Sequence, residues 1–95
     1  MKTVILDGRE MTDKEEFHRI VARELQFPDW YGKNLDALFD CLMEVCEDTQ
    51  IMFRCLGDMQ AALGDYTQQI LSTFFDAQEE NDYLAVALLG EEEDG

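Results

Sequence analysis

Asp36 and Asp40 stand one helical turn apart inside the segment Phe27 to Leu42, FPDWYGKNLDALFDCL. Two carboxylates on one helix face repel each other, and each can accept paired hydrogen bonds from a guanidinium or ammonium group. Phe39 and Met43 fall beside them, at the rim of the apolar arc. An aromatic ring next to two like charges is costly for stability alone and suits a partner that brings positive charge. Trp30 and Tyr31 place further ring surface just ahead of the helix, so the segment reads as a docking surface. Metal chemistry is a poor fit, because two carboxylates on a rigid helix without an EF-hand pattern make a weak cation site. His18 is the single histidine. It lies beside Phe17 with no nucleophile or second ligand in helical register, and reads as a surface histidine. Neither an enzyme nor a bound metal or cofactor is expected.

The elements that hold these residues follow from periodicity and punctuation. Asn34 can cap a helix by accepting from a first-turn amide, and Gly32 offers backbone freedom just before it. At about 100° per residue, Leu35, Leu38, Leu42, Val45 and Cys46 gather on one apolar arc, away from Asp36 and Asp40. Upstream, Thr3 to Leu6 predicts a short strand closed by Asp7 and Gly8. Thr12 and Glu15 have capping-box spacing, and the helical period then runs through Phe17, Ile20, Val21 and Leu25 until Phe27-Pro28 stops it near Gln26.

Downstream, Gln50 to Cys55 carries a second strand. Gly57 and Asp58 open a brief helix through Leu63, and Gly64-Asp65 end it and cap the next. Tyr66, Ile70, Leu71 and Phe74 keep helical spacing to Glu80-Asn81. Tyr83 to Leu89 is continuously apolar and fits a central strand. Three strands joined by helical crossovers predict an α/β fold, a single compact domain with a three-stranded parallel sheet and about four helices. The expected boundaries are 1–89 for this domain and 90–95 for a solvated acidic tail.

The run WYGKNLDALFDCL from Trp30 to Leu42 resembles the barstar family, small intracellular inhibitors of the secreted bacterial ribonuclease barnase. The family's pattern there is aromatic-Tyr-Gly-x-Asn-Leu-Asp-Ala-Leu-aromatic-Asp, and the likeness extends through the strand and helix order to about Leu89. The resemblance implies competitive occlusion, with this helix and its loop laid into the nuclease cleft and carboxylates standing where RNA phosphates would lie. On that reading Asp40 is the central carboxylate and Asp36 the one a turn earlier. Trp30 packs on the nuclease's catalytic centre, Phe39 stands beside Asp40, and Gly32 with Asn34 shapes the loop. Asp76 falls where the family often carries a Glu that meets a basic residue. Trp30 in place of Tyr, Phe39 in place of Trp and Asp76 in place of Glu change hydroxyl, indole and reach, and leave the target nuclease open.

Charge narrows the partner independently. The chain of 95 residues holds 22 acidic against 7 basic residues, a formal net charge of −15. Residues 1–33 hold seven acids and six bases, whereas residues 34–95 hold fifteen acids and one base, Arg54. Nucleic acid and anionic membranes are excluded as direct partners, and a basic protein is favoured. Joined to the resemblance, this implies a basic secreted or toxin ribonuclease of barnase type, expected to be bound 1:1 by a monomer, with a basic protein that is not a nuclease as the alternative. Cys41, Cys46 and Cys55 form no C-x-x-C pair and read as free thiols. The N-terminus carries no signal-peptide pattern, and no apolar stretch nears the roughly 20 residues that span a bilayer, so a cytoplasmic protein is expected.

Overall fold

Three short apolar runs pleat into strands that each turn one side inward. The computed structural model describes residues 1–89, and the expected acidic tail at 90–95 lies outside them. Strand β1 spans Lys2–Asp7, followed by a 3-10 turn at Gly8–Glu10 and helix α1 at Lys14–Leu25. Helix α2 covers Leu35–Met43, β2 Thr49–Arg54, α3 Leu56–Leu63, α4 Tyr66–Glu80 and β3 Leu84–Leu88. The expected α/β architecture is what the described residues adopt, with three parallel strands and four α-helices among them.

The strands lie in the order β1-β2-β3. Val4 is level with Ile51 and Leu6 with Phe53, while Thr49 is level with Leu84 across the second ladder. Val4, Leu6, Ile51, Phe53 and Leu84 are buried on one face of the sheet, where α1 packs on β1 and α4 on β3. The opposite face is more open: Ile5, Met52 and Ala87 share one register row, and Ile5 is 48% exposed.

The central place expected for the last strand goes to β2 instead, and β3 is an edge. Its Ala85 and Ala87 are apolar in type but carry little area, so a run that looks buried on both sides needs cover on only one. The edge is partly blunted, since the Val86 N–H donates to Gln78 Oε1 at 2.6 Å.

The helix starts carry further corrections. Asp13, not Thr12, caps α1, its carboxylate accepting from the Glu16 N–H at 2.8 Å. Asp65 precedes α4 without a side-chain cap bond. Helix α2 ends at Met43, where Glu44 N–H bonds Cys41 O and Val45 N–H bonds Leu42 O. Val45 and Cys46 therefore leave the arc, Cys46 is exposed, and Cys41 takes the buried place beside Leu38 and Leu42. Gly8 is held to glycine by close approach, because a Cβ there would stand 2.2 Å from the Cys55 carbonyl oxygen. Among the described residues no helix is long and apolar enough to cross a membrane.

Candidate functional site

The docking segment is fixed from both ends. At its start α1 stops at Gln26, which adopts a left-handed conformation with φ 59°, and the Phe27 N–H returns to Ala22 O at 2.9 Å. A turn follows in which Tyr31 N–H bonds Pro28 O at 3.0 Å. The positive φ that swings the chain into α2 belongs to Lys33, at 57°, and not to Gly32. Gly32 contributes space instead: a Cβ there would lie 3.3 Å from Asn34 Nδ2 and 3.4 Å from Ala37 Cβ. Asn34 caps α2 as expected, Oδ1 accepting from the Ala37 N–H at 2.8 Å.

The two adjacent rings of the loop part company. Trp30 is 75% exposed, whereas Tyr31 is only 6% exposed and belongs to the core. Tyr31, which the sequence pattern puts at the contact surface, has its side chain inside, where its hydroxyl has a buried partner. That partner is His18, whose Nδ1 lies 2.5 Å from Tyr31 Oη and whose Nε2 lies 2.8 Å from Tyr66 Oη. The Phe27 ring packs on Tyr31 at 4.9 Å between centroids.

His18 is thus no surface histidine; it is 1% exposed. Burial, with the Lys33 charge adding to it, pushes the imidazole down to about 4. The same burial raises the Tyr31 phenol far above its ordinary value, and raises Tyr66 as well. A histidine held neutral by the fold stabilises fully above its unfolded value near 6.5. That contribution is lost as pH falls from about 6.5 towards about 4.

Beyond the loop, Asp36 and Asp40 are exposed on α2, with Phe39 and Met43 half-buried beside them. Ion pairs among the described residues join Asp7 to Arg9, Glu16 to Arg19 and Glu24 to Arg23. None of these pairs reaches α2, so both α2 aspartates keep their acceptor capacity for something outside the chain. The Asp40 and Glu44 charges, after burial, raise the Cys41 thiol on the inner side of the same helix. Helix α4 packs on α2, and Asp76 is exposed on it.

Two residues that position this surface carry no local sequence signal. His18 is one; Asn81, just past α4, is the other. Its Nδ2 donates to Leu42 O and Val45 O, both at 3.0 Å, and its Oδ1 accepts from the Tyr83 N–H. One buried amide so ties the C-terminal end of α2 to the end of α4. Asn81→Ala is expected to lower the unfolding free energy by about 1–3 kcal/mol, as a shift in urea midpoint at unchanged slope. A shallow groove of about 240 Å³ opens beside this end of α2, lined by Leu25, Glu44, Val45 and Cys46 among others. No three His, Cys, Asp or Glu side chains among the described residues gather in a way that would hold a metal ion.

The geometry is that of a preformed acidic helix flanked by an exposed ring, and comparison with known proteins gives it a family. A family model described as Barstar (barnase inhibitor) matches residues 1–90. A Bacillus subtilis (strain 168) protein named "Putative ribonuclease inhibitor YrdF" is 36% identical over 81 residues, which cover 84% of this chain and 89% of that protein. The match runs from the first strand through the last and covers the capped acidic helix, its aromatic loop and the three-stranded sheet, and the chain belongs to the barstar (barnase inhibitor) family.

Proposed function

We propose that the protein inhibits a basic, barnase-type ribonuclease by seating α2 and the Trp30 loop in the nuclease's active-site cleft. Asp40 and Asp36 then occupy positions that RNA phosphates would take, paired with the Arg and Lys groups a nuclease must present to its substrate. Trp30 lies against the catalytic centre, Phe39 and Met43 fill the rim, and Asp76 on α4 meets a further cation. Gly32 and Asn34 set the path of the loop, and Tyr31 anchors it from within. The observation that carries this reading is the pair of exposed α2 aspartates left without an intrachain cation, beside a Trp that is 75% exposed.

The inhibitory unit is 1–89, with 90–95 as an acidic appendage. It acts as a monomer on one nuclease molecule, without a cofactor, and its place is the cytoplasm. The family and its inhibitor-named relative support the nuclease as the class of partner. Free thiols at Cys41, Cys46 and Cys55 suit a reducing compartment. Titrating the purified protein into barnase-catalysed RNA cleavage is expected to abolish activity with an end point at one equivalent. Full activity at tenfold excess would contradict the barnase-type target.

A further inference from the structure

His18 joins two elements distant in sequence, the loop ahead of α2 and helix α4. Its ring sits between the Tyr31 hydroxyl of the loop and the Tyr66 hydroxyl of α4, in contact with Phe17, and almost none of it reaches solvent. A neutral imidazole has one N–H and one lone pair, so it serves one phenol as donor and the other as acceptor, and the Tyr-His-Tyr chain is complete. An imidazolium has two N–H groups. The phenol that had been donating must then turn its hydrogen away, into buried surroundings where that phenol is Tyr31, and a desolvated charge is added.

The groups facing this ring offer that charge no relief. Lys14 of α1 places its Nζ 4.6 Å from the centroid of the Tyr66 ring. From the loop, Lys33 acts against protonation. On the α2 side the group acting on Tyr31 is the Cys41 thiol, and Asp40 and Glu44 act on that thiol rather than on the imidazole.

We infer that His18 is a positioning residue of the binding surface: while neutral it holds the Trp30 loop against α4 through Tyr31 and Tyr66, and acid opens this latch and weakens partner binding. The inference rests on the inhibitory reading above for what the loop does, but the latch itself is a property of the free protein. A ring held at about 4 when latched and returning to about 6.5 when released shifts the latch equilibrium toward opening by up to about 300-fold as pH falls through that window.

The test uses two built-in reporters, since the chain has one histidine and one tryptophan. Proton NMR of His18 and fluorescence anisotropy of Trp30 are followed from pH 7.5 to 3.5, with far-UV circular dichroism recording the helices. The expected result is a His18 midpoint well below 6.5 and a Trp30 change that accompanies it before any helical signal is lost. His18→Gln, whose amide offers one donor and one acceptor and does not titrate, should keep the pH 7 anisotropy and lack the step. Should that variant fail to fold, Tyr31→Phe supplies the same comparison, with Trp30 already loosened at pH 7.

In a binding arm, affinity for barnase should fall at least tenfold more between pH 7 and pH 4.5 for the wild type than for His18→Gln. A His18 that titrates near 6.5, or a Trp30 change that coincides with loss of helix in both proteins, would overturn the latch. A Trp30 step in a protein that leaves barnase fully active at pH 7 would support the latch and overturn the nuclease reading.

Discussion

Asp40→Ala is expected to weaken inhibition of barnase by at least about 100-fold, close to 3 kcal/mol. This is the range for removing one member of a desolvated, hydrogen-bonded charge pair, a range to which the barnase and barstar pair itself contributes. Much of that loss is the partner's cation, left buried and unpaired. Glu10→Ala, an exposed acid outside α2, removes the same formal charge and should change inhibition by less than about twofold, consistent with a weak exposed charge. The two variants separate a placed carboxylate from net charge alone.

Stability gives an independent check on the same substitution. Asp40 is exposed and takes part in none of the ion pairs among the described residues. Its removal also relieves repulsion from Asp36 one turn away, so the thermal midpoint should hold or rise slightly. A lost inhibition accompanied by a lowered midpoint would mark Asp40 as a structural residue.

The second large effect is kinetic. Fifteen of the 22 acidic residues and a single base lie in residues 34–95, the part of the chain that begins with α2. Raising ionic strength from about 10 mM to 150 mM shrinks the screening length from about 30 Å to about 8 Å. The association rate with barnase should then fall at least tenfold, while the dissociation rate changes less than about threefold. Long-range attraction is screened more than close contacts are, and barnase with barstar is itself a reference case of such steering. Stopped-flow mixing over that salt range measures both rates, and an association rate indifferent to salt would remove the steering role of the acidic field.

Much of the local geometry of the candidate site is legible in the chain because its determinants are local. Asn34 caps the helix three residues ahead of the amide it binds, and the spacing of Leu38, Leu42, Asp36 and Asp40 sorts them to opposite sides without any distant contact. The strand and helix order follows from the same short-range patterns. The inner supports were hidden because their partners are remote. His18 looks like a surface position between Phe17 and Arg19, and only phenols 13 and 48 residues away turn it inward. Asn81 stands at a helix end, where Asn is ordinary, yet its amide serves carbonyls 36 and 39 residues back.

Tyr31 beside Trp30 shows the limit of composition most directly. Two neighbouring aromatic residues in a Pro-bounded loop carry no mark that says which is to be anchored. The division follows from the buried imidazole waiting for one hydroxyl, which a Trp cannot supply. The edge position of β3 has a similar origin, since strand order is set by how α4 returns the chain beside β2 and not by the hydropathy of Leu84–Leu88.

The claim at the centre is that α2 and the Trp30 loop occupy the place of RNA. The rate at which the protein captures barnase, measured by stopped flow at several concentrations of a non-cleavable RNA analogue, tests it most directly. Occlusion predicts that the apparent association rate falls as the analogue fills the cleft, in proportion to the fraction of nuclease left free. An association rate indifferent to saturating analogue would mean the nuclease holds RNA and the acidic helix at the same time, and would contradict the account.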